Sequence, residues 1–297
     1  MAINDVYKVT ASFSQPAFVN GFNPIVLDQT TTVIEYGPGT AKAFNTDFVM
    51  EYPGAVPGLP GTITVNTAVV GANGVFPLSL ADSNVVPDSG SVLVPVFLIG
   101  KSSGTTGGSL DSNVAPAIVI PTRVDTTTPS LFTGFLPEGY DTYVMVGVCV
   151  LTSTATLVPL AMGGNGFSRH VTLGSSIPVA TITASASGTI DLTALSYVAA
   201  SVDTVDFLYE YTPAAAADIL TFTPTGLTPA TGLAPVQVKT NGTVVVRDVF
   251  TMTPGIDNSP SALGINYTMT QTSDAVNVWV SGLRFSPFLV SPQVLLG

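Results

Sequence analysis

Charge is what this 297-residue chain has least of: 8 lysines and arginines and 19 aspartates and glutamates make 9% of it charged, against about 25% in an ordinary soluble domain. A freely diffusing enzyme normally stays soluble through mixed surface charge. A chain with mean hydropathy +0.50 must instead hide surface against neighbours or cover it with Thr, Ser, Asn and Gly. Yet no apolar run reaches the ~20 residues of a membrane-spanning helix. Cys149 is the sole cysteine, which excludes an intrachain disulfide. No Lys, Arg or His flanks it to lower its pKa, so it reads as a small buried hydrophobe. One histidine, His170, and one cysteine do not make a tetrahedral zinc site.

The basic residues are equally sparse. Lys8, Lys42, Lys101, Arg123, Arg169, Lys239, Arg247 and Arg284 stand far apart. No cluster of them neutralises a run of phosphates or meets an anionic lipid surface, which argues against nucleic-acid and membrane partners. Net charge is −11. The start, Met1-Ala2-Ile3-Asn4-Asp5, lacks the basic and apolar regions of a secretory signal, so assembly in a cytoplasm is expected. Helix formers at a 3.6-residue period are scarce. Pro213-Ala214-Ala215-Ala216-Ala217-Asp218, with proline at a first helical position, predicts one short helical turn.

What the chain has is strand signal. Val, Ile, Thr, Phe and Tyr dominate, while 28 glycines and 23 prolines punctuate them. Alternation predicts strands over 5–14, 31–36, 44–52, 62–70, 114–122, 179–184, 189–195 and 204–211. The apolar run 92–99 predicts a strand buried on both faces, with Pro95 marking an edge or a bulge. Three hairpins are expected: 140–151 with 154–161, 236–240 with 243–247 around Asn241-Gly242, and 266–271 with 275–281. Asn-Gly supplies the two positive-φ residues of a type I′ turn. Residues 100–112 read as a flexible Gly/Ser/Thr loop. Roughly fifteen strands at about 8–12-residue spacing predict an all-β chain of tandem β-sandwich or jelly-roll domains. The expected division is 1–60 as an N-terminal arm of strands, 61–165 as a first sandwich and 166–297 as a second. Few charges are on hand to blunt strand edges, so homo-oligomerisation that buries them is expected.

Signals for catalysis are weak. A triad needs His170 to converge with a nucleophile and an acid, and Gly-x-Ser-x-Gly is absent. Asp203, Asp206 and Glu210 form the densest acidic group. On a strand, Asp206 and Glu210 share a face and Asp203 points away, which reads as a solvated acidic face before a calcium site. Gly163-Gly164-Asn165-Gly166 is no phosphate loop, because no lysine follows and no helix opens there. Asn241-Gly242-Thr243 and Asn266-Tyr267-Thr268 match glycosylation sequons but read as turn and strand. Dispersed carboxylates leave a depolymerase as a third-ranked reading. The remaining candidates are for interface or ligand contact. Trp279 alternates with Asn277 and Ser281, opposite the apolar face of Val276, Val278 and Val280. Asn165 and Arg169 flank a glycine-rich turn. No catalytic residue, cofactor or metal is expected.

Several segments, in order, resemble a module of mostly uncharacterised virion proteins of tailed bacteriophages and prophages. They are Ile34-Glu35-Tyr36-Gly37-Pro38-Gly39-Thr40 with Asn45-Thr46-Asp47, Thr62-Ile63-Thr64-Val65 leading to Gly71-Ala72-Asn73-Gly74, and Val96-Phe97-Leu98-Ile99-Gly100. Leu136-Pro137-Glu138-Gly139-Tyr140-Asp141-Thr142-Tyr143 follows with Gly147, then Gly164-Asn165-Gly166 with Arg169, and Tyr209-Glu210-Tyr211-Thr212-Pro213. The resemblance spans residues 30–213. It departs after Tyr143, where Val144-Met145-Val146 stand in place of basic residues. It implies a virion component with a β-sandwich fold, assembled in the host cytoplasm. Joined to the composition, it leads to the expectation of a non-enzymatic bacteriophage structural protein, capsid-associated as a decoration, cement or coat protein. The expected partners are copies of itself, as a trimer, and other virion proteins such as the major capsid protein. The alternative is a host-recognition module of a tail or head fibre, contacting a host-surface glycan through loops 100–112 and 163–169.

Overall fold

The computed structural model describes residues 18–26, 33–42, 48–52, 62–64, 91–103, 109–111, 113–114, 116–119, 141–153, 157–164, 168–192, 195, 202–226, 236–256 and 263–285. These form an all-β protein with no α-helix among the described residues. The expected strand at 5–14 and the part of 62–70 beyond Thr64 lie outside them. In chain order the first ten strands are β1 (Phe18–Gly21), β2 (Pro24–Val26), β3 (Val33–Tyr36), β4 (Gly39–Lys42), β5 (Met50–Tyr52), β6 (Thr62–Thr64), β7 (Ser91–Gly100), β8 (Ala117–Val119), β9 (Thr142–Thr152) and β10 (Leu157–Val158). The second ten are β11 (Leu160–Gly163), β12 (Arg169–Thr183), β13 (Ser187–Asp191), β14 (Val202–Thr212), β15 (Ile219–Pro224), β16 (Val236–Lys239), β17 (Val246–Met252), β18 (Gly255–Ile256), β19 (Leu263–Met269) and β20 (Ala275–Phe285).

The second ten strands build a jelly roll. One sheet runs β11-β12-β20-β14-β17 and the other β13-β19-β15-β16, with β18 beside β19. Setting aside β11 and β18 and counting from β12, the orders are 1-8-3-6 and 2-7-4-5, the two interleaved Greek keys of a jelly roll. The chain changes sheet at most of its turns. That is why two expected hairpins do not form. β16 pairs with β15 and β17 with β14, so residues 240–245 carry the chain from one sheet to the other, and Gly242 is not among the positive-φ glycines. β19 and β20 likewise lie in opposite sheets. Local alternation located three of these four strands and placed the fourth at 243–247, where β17 begins only at Val246; the partners of all four are set by the double winding.

The two sheets close over an aromatic centre. Phe222 of β15 stacks on Phe250 of β17 with centroids 4.7 Å apart, and Phe250 stacks on Phe207 of β14 at 4.9 Å. Around them Val205, Tyr209, Tyr211, Val276, Val278, Val280, Leu220, Ile265 and Tyr267 are buried. Every second residue of β14 and of most of β20 points inward, the period of a half-buried strand.

The expected helical turn at 213–218 is instead a tight non-helical turn in which Ala217 adopts φ +69°. Two buried aspartates shape it. Asp218 accepts a hydrogen bond from the Ala215 amide (2.6 Å), and Asp274 accepts one from the Ala214 amide (2.8 Å). These side chains take the amide donors that a helix start would present.

The first ten strands form smaller sheets: β1-β4-β5, β2-β3-β6 and β10-β9-β7-β8. In the last, residues 142–150 of β9 and 96–100 of β7 are buried without alternation, as a strand covered on both faces requires. β9 and β10 make the expected hairpin, though only Leu157 and Val158 pair back. Pro95 fits because β8 pairs only with residues 97–99 of β7. The side of β7 facing β8 therefore needs no donor at Pro95, and a register shift follows at Val96/Phe97. Loop 100–112 is closed at its base by a Ser102–Leu110 bridge and by Ser102 bonds to the Asp141 carboxylate.

Candidate functional site

The side chains capable of recognition gather on the outer face of the β12-β20-β14-β17 sheet. Strand register places them in rows, since directly paired residues point to the same side. One row is Pro178, Trp279, Leu208 and Val249. The next, two residues along, is Thr181, Asn277, Glu210 and Arg247. On the opposite flank lie Thr172, Gly282, Asp206 and Thr251. Register shifts at Pro178/Ala180 and Asp206/Phe207 bracket the apolar row. Bulges of this kind bend a sheet and re-aim its side chains.

The polar rows are internally paired. Arg247 donates from Nε to the Glu210 carboxylate. Asp206 Oδ2 lies 2.8 Å from His170 Nε2, and Asp206 Oδ1 accepts from the Thr251 hydroxyl at 2.5 Å. Gly282 makes room for this carboxylate, because a Cβ there would sit 2.9 Å from Asp206 Oδ2. The carboxylate rather than the imidazole stands in the middle, so His170 is not poised to take a proton from Thr251. This is not the nucleophile–base–acid order that acyl transfer needs. Among the described residues no group of three or more His, Cys, Asp or Glu side chains is placed to hold a metal ion.

Asp206 and Glu210 share this face, as alternation predicted, two residues apart on either side of Leu208. Asp203 lies at the Val202/Thr204 register shift. Burial raises its carboxyl pKa, with Arg284 pulling the other way. Trp279 lies on the outer face, half-buried, while Val276, Val278 and Val280 are fully buried beneath it. Among the described residues, the half-buried side chains packed on the hydrophobic core do not include Trp279 or Leu208. Asn165 lies outside the described residues.

Arg169 is somewhere quite different. It opens β12, is completely buried, and none of its three guanidinium nitrogens has a hydrogen-bond partner among the described residues. Its surroundings include Tyr36, whose hydroxyl donates to the Val148 carbonyl of β9 at 3.3 Å. Burial lowers the guanidinium pKa to about 10, with Tyr36 opposing. Burial likewise raises Tyr36, with Cys149 and Arg169 as its electrostatic neighbours, and pushes the Cys149 thiol up to about 12. Tyr36 and Met162 both reach Gly147, where a Cβ would stand 2.9 Å from Met162 Cε and 3.3 Å from the Tyr36 ring. Arg169 and Tyr36 thus sit at the seam between the early sheets and the jelly roll.

Sequence patterns gave no sign of the knot at one end of the jelly roll. Asp274, fully buried, accepts bonds from the Tyr211 hydroxyl and the Ala214 amide (both 2.8 Å) and the Gln271 amide (3.3 Å). Asp218 accepts from Gln271 Nε2 at 2.9 Å. Burial alone would raise the Asp274 carboxyl, but these hydrogen bonds outweigh it and hold it below the usual carboxylate range. With their oxygens taken by donors of the chain itself, these acids bind turns together. The only sequence signal was two aspartates beside turns, which is too common to single them out.

No protein family matches this chain, and no curated protein does either. Among solved structures, a xylan-binding CBM22-1 domain from Paenibacillus barcinonensis Xyn10C aligns at 14% identity over 44% of this chain and 82% of its own, with TM-score 0.22. The structure of Broad Bean Stain Virus aligns at 10% identity over 73% of this chain and 83% of its own, with TM-score 0.28. The insecticidal delta-endotoxin Cry8Ea1 from Bacillus thuringiensis aligns at 7% identity over 94% of this chain and 55% of its own, with TM-score 0.23. At these scores the likenesses carry no functional weight, and the jelly-roll assignment rests on strand order.

Proposed function

We propose that this chain is a non-enzymatic structural protein of a bacteriophage virion. In this reading it assembles in the host cytoplasm and associates with the capsid as a decoration, cement or coat protein. Copies of it, as trimers, would stabilise the particle together with the major capsid protein. The observation that carries the reading is the interleaved strand order of a jelly roll, an architecture used by capsid and lectin domains, in a chain with 9% charged residues. Fold alone does not fix function. The paired, non-catalytic arrangement around Asp206 supports the non-enzymatic part.

The sheet edges refine where copies would meet. Lys239 ends edge strand β16, and Arg247 and Asp248 are exposed on edge strand β17. These three charges discourage strand-to-strand addition at those two edges. Contacts between copies would use the remaining strand edges, the β13-β19-β15-β16 face and the early sheets.

The test is the solution mass of the full chain by light scattering, followed by negative-stain imaging. Closed trimers, shells or sheets are expected. A stable monomer at all concentrations tested would overturn the assembly role.

A further inference from the structure

We propose that the outer face of the β12-β20-β14-β17 sheet is a carbohydrate-binding surface, with the Trp279 indole stacking against a neutral pyranose ring. This does not rest on the virion reading, because the geometry stands whether or not the protein belongs to a particle.

The two outer faces of the jelly roll set the case. Across the β13-β19-β15-β16 sheet one register row reads Ser187, Thr268, Thr221, Gln237. It is wholly hydroxyl and amide, and Thr221 and Thr268 bond to each other. That is how a sheet with little charge stays wetted. The equivalent row across the other sheet reads Pro178, Trp279, Leu208, Val249. Val249 is 63% exposed and Pro178 is exposed. The only tryptophan of the chain thus stands in an outward apolar row with part of its indole open to solvent.

The row has the length of a short oligosaccharide rather than of one ring. Four residues across neighbouring strands, about 4.8 Å apart, span about 14 Å. A stable protein–protein contact engages about 20–30 residues a side around an apolar core, and the apolar part of this face is one row of four, two of them half-buried. A second copy is therefore a poor occupant. A pyranose is amphipathic in a matching way. Its axial C–H face is apolar and suits an aromatic ring, while its equatorial hydroxyls need donors and acceptors at the rim. Asn277, about 6.7 Å along the strand from Trp279, offers an amide that both donates and accepts. Glu210 and Arg247 continue that rim, and Asp206 borders the other. Charge favours the neutral class beside the apolar row: Glu210 is tied to Arg247 and Asp206 to His170 and Thr251, and the exposed Arg284 of this face stands five residues along β20 from Trp279.

The single tryptophan makes the test direct, since its emission reports this site alone. The full-length protein is titrated with cellohexaose, xylohexaose, maltohexaose and N-acetylchitohexaose, and run through gels containing the parent polysaccharides. A saturable emission change with at least one of them is expected, weakened about tenfold in Asn277→Ala at unchanged melting temperature. Retention should be lost in Trp279→Ala and kept in Thr221→Ala on the opposite face. Any of three results would overturn the assignment: no saturable change and no retention with all four, retention that survives Trp279→Ala, or an oligomer that Trp279→Ala disperses. The last would give the row to a second copy.

Discussion

The early four-stranded sheet and the jelly roll bury their strands by different rules. In β9, residues 142–150 are buried one after another. In β14, buried positions alternate with half-buried ones from Val205 to Tyr211. The first pattern needs cover on both faces, and on one of them Tyr36 and Met162 supply it at Gly147. The second needs one covered face and leaves the other free to meet solvent or a ligand. The contrast explains how a chain so poor in charge still presents polar surface. Apolar runs are spent in the doubly covered sheet, and Thr, Asn and Ser line the outside of the jelly roll.

The largest test of this contrast is at the aromatic centre. Phe222→Ala removes the ring that joins the two jelly-roll sheets and should cost about 3–5 kcal/mol, read by urea denaturation. A loss below about 1 kcal/mol would mean the sheets are not closed over Phe222, since so small a value belongs to surface positions.

Asp274 tests the end of the same sandwich. Asp274→Ala strands the Tyr211 hydroxyl and the Ala214 and Gln271 amides, and about 3 kcal/mol should be lost. The linkage has a definite sign. Hydrogen bonds hold this carboxyl below its unfolded value, so its contribution is complete above about pH 4 and fades as pH falls through the folded value. Asp274→Asn should therefore flatten the acid limb of the stability profile. An unchanged limb would assign acid sensitivity to other carboxylates.

At the seam the sign reverses. Arg169 buries a guanidinium with no hydrogen-bond partner among the described residues; even a buried ion pair is often replaced by apolar side chains of similar volume with a gain in stability, and a lone charge has more to gain. Arg169→Met should raise stability by about 1–3 kcal/mol. A comparable loss would show that the guanidinium has a partner in the folded protein.

The smallest effect is expected in the doubly covered sheet. The Cys149 thiol is fully buried and pushed up to about 12, so a thiol reagent should leave it unmodified under native conditions and label it on unfolding. Labelling without unfolding would break the picture of a strand sealed on both faces.

Much of this was legible in residue order. Alternation in 275–281 placed Trp279 outside and three valines inside, because a strand has only two faces. The continuous run around Cys149 announced double burial, and the double role of Pro95 resolved into a register shift. Four alanines after Pro213 misled, because local helix propensity yields to buried aspartates brought from 3 and 60 residues away. Asn241-Gly242 misled in the same way. Its turn chemistry suits a hairpin, but the neighbouring strands are claimed by opposite sheets.

Composition and periodicity by themselves determined that this chain is all-β, which of its strands are covered once or twice, and which way Trp279 faces, since each follows from short-range geometry. Only the tertiary structure decided the strand order, the burial of Arg169 and the alignment of Pro178, Trp279, Leu208 and Val249 into one row. Those depend on pairings between residues as far as 116 positions apart (Arg169 with Phe285), whose energies arise across the sandwich and leave no trace in any local window.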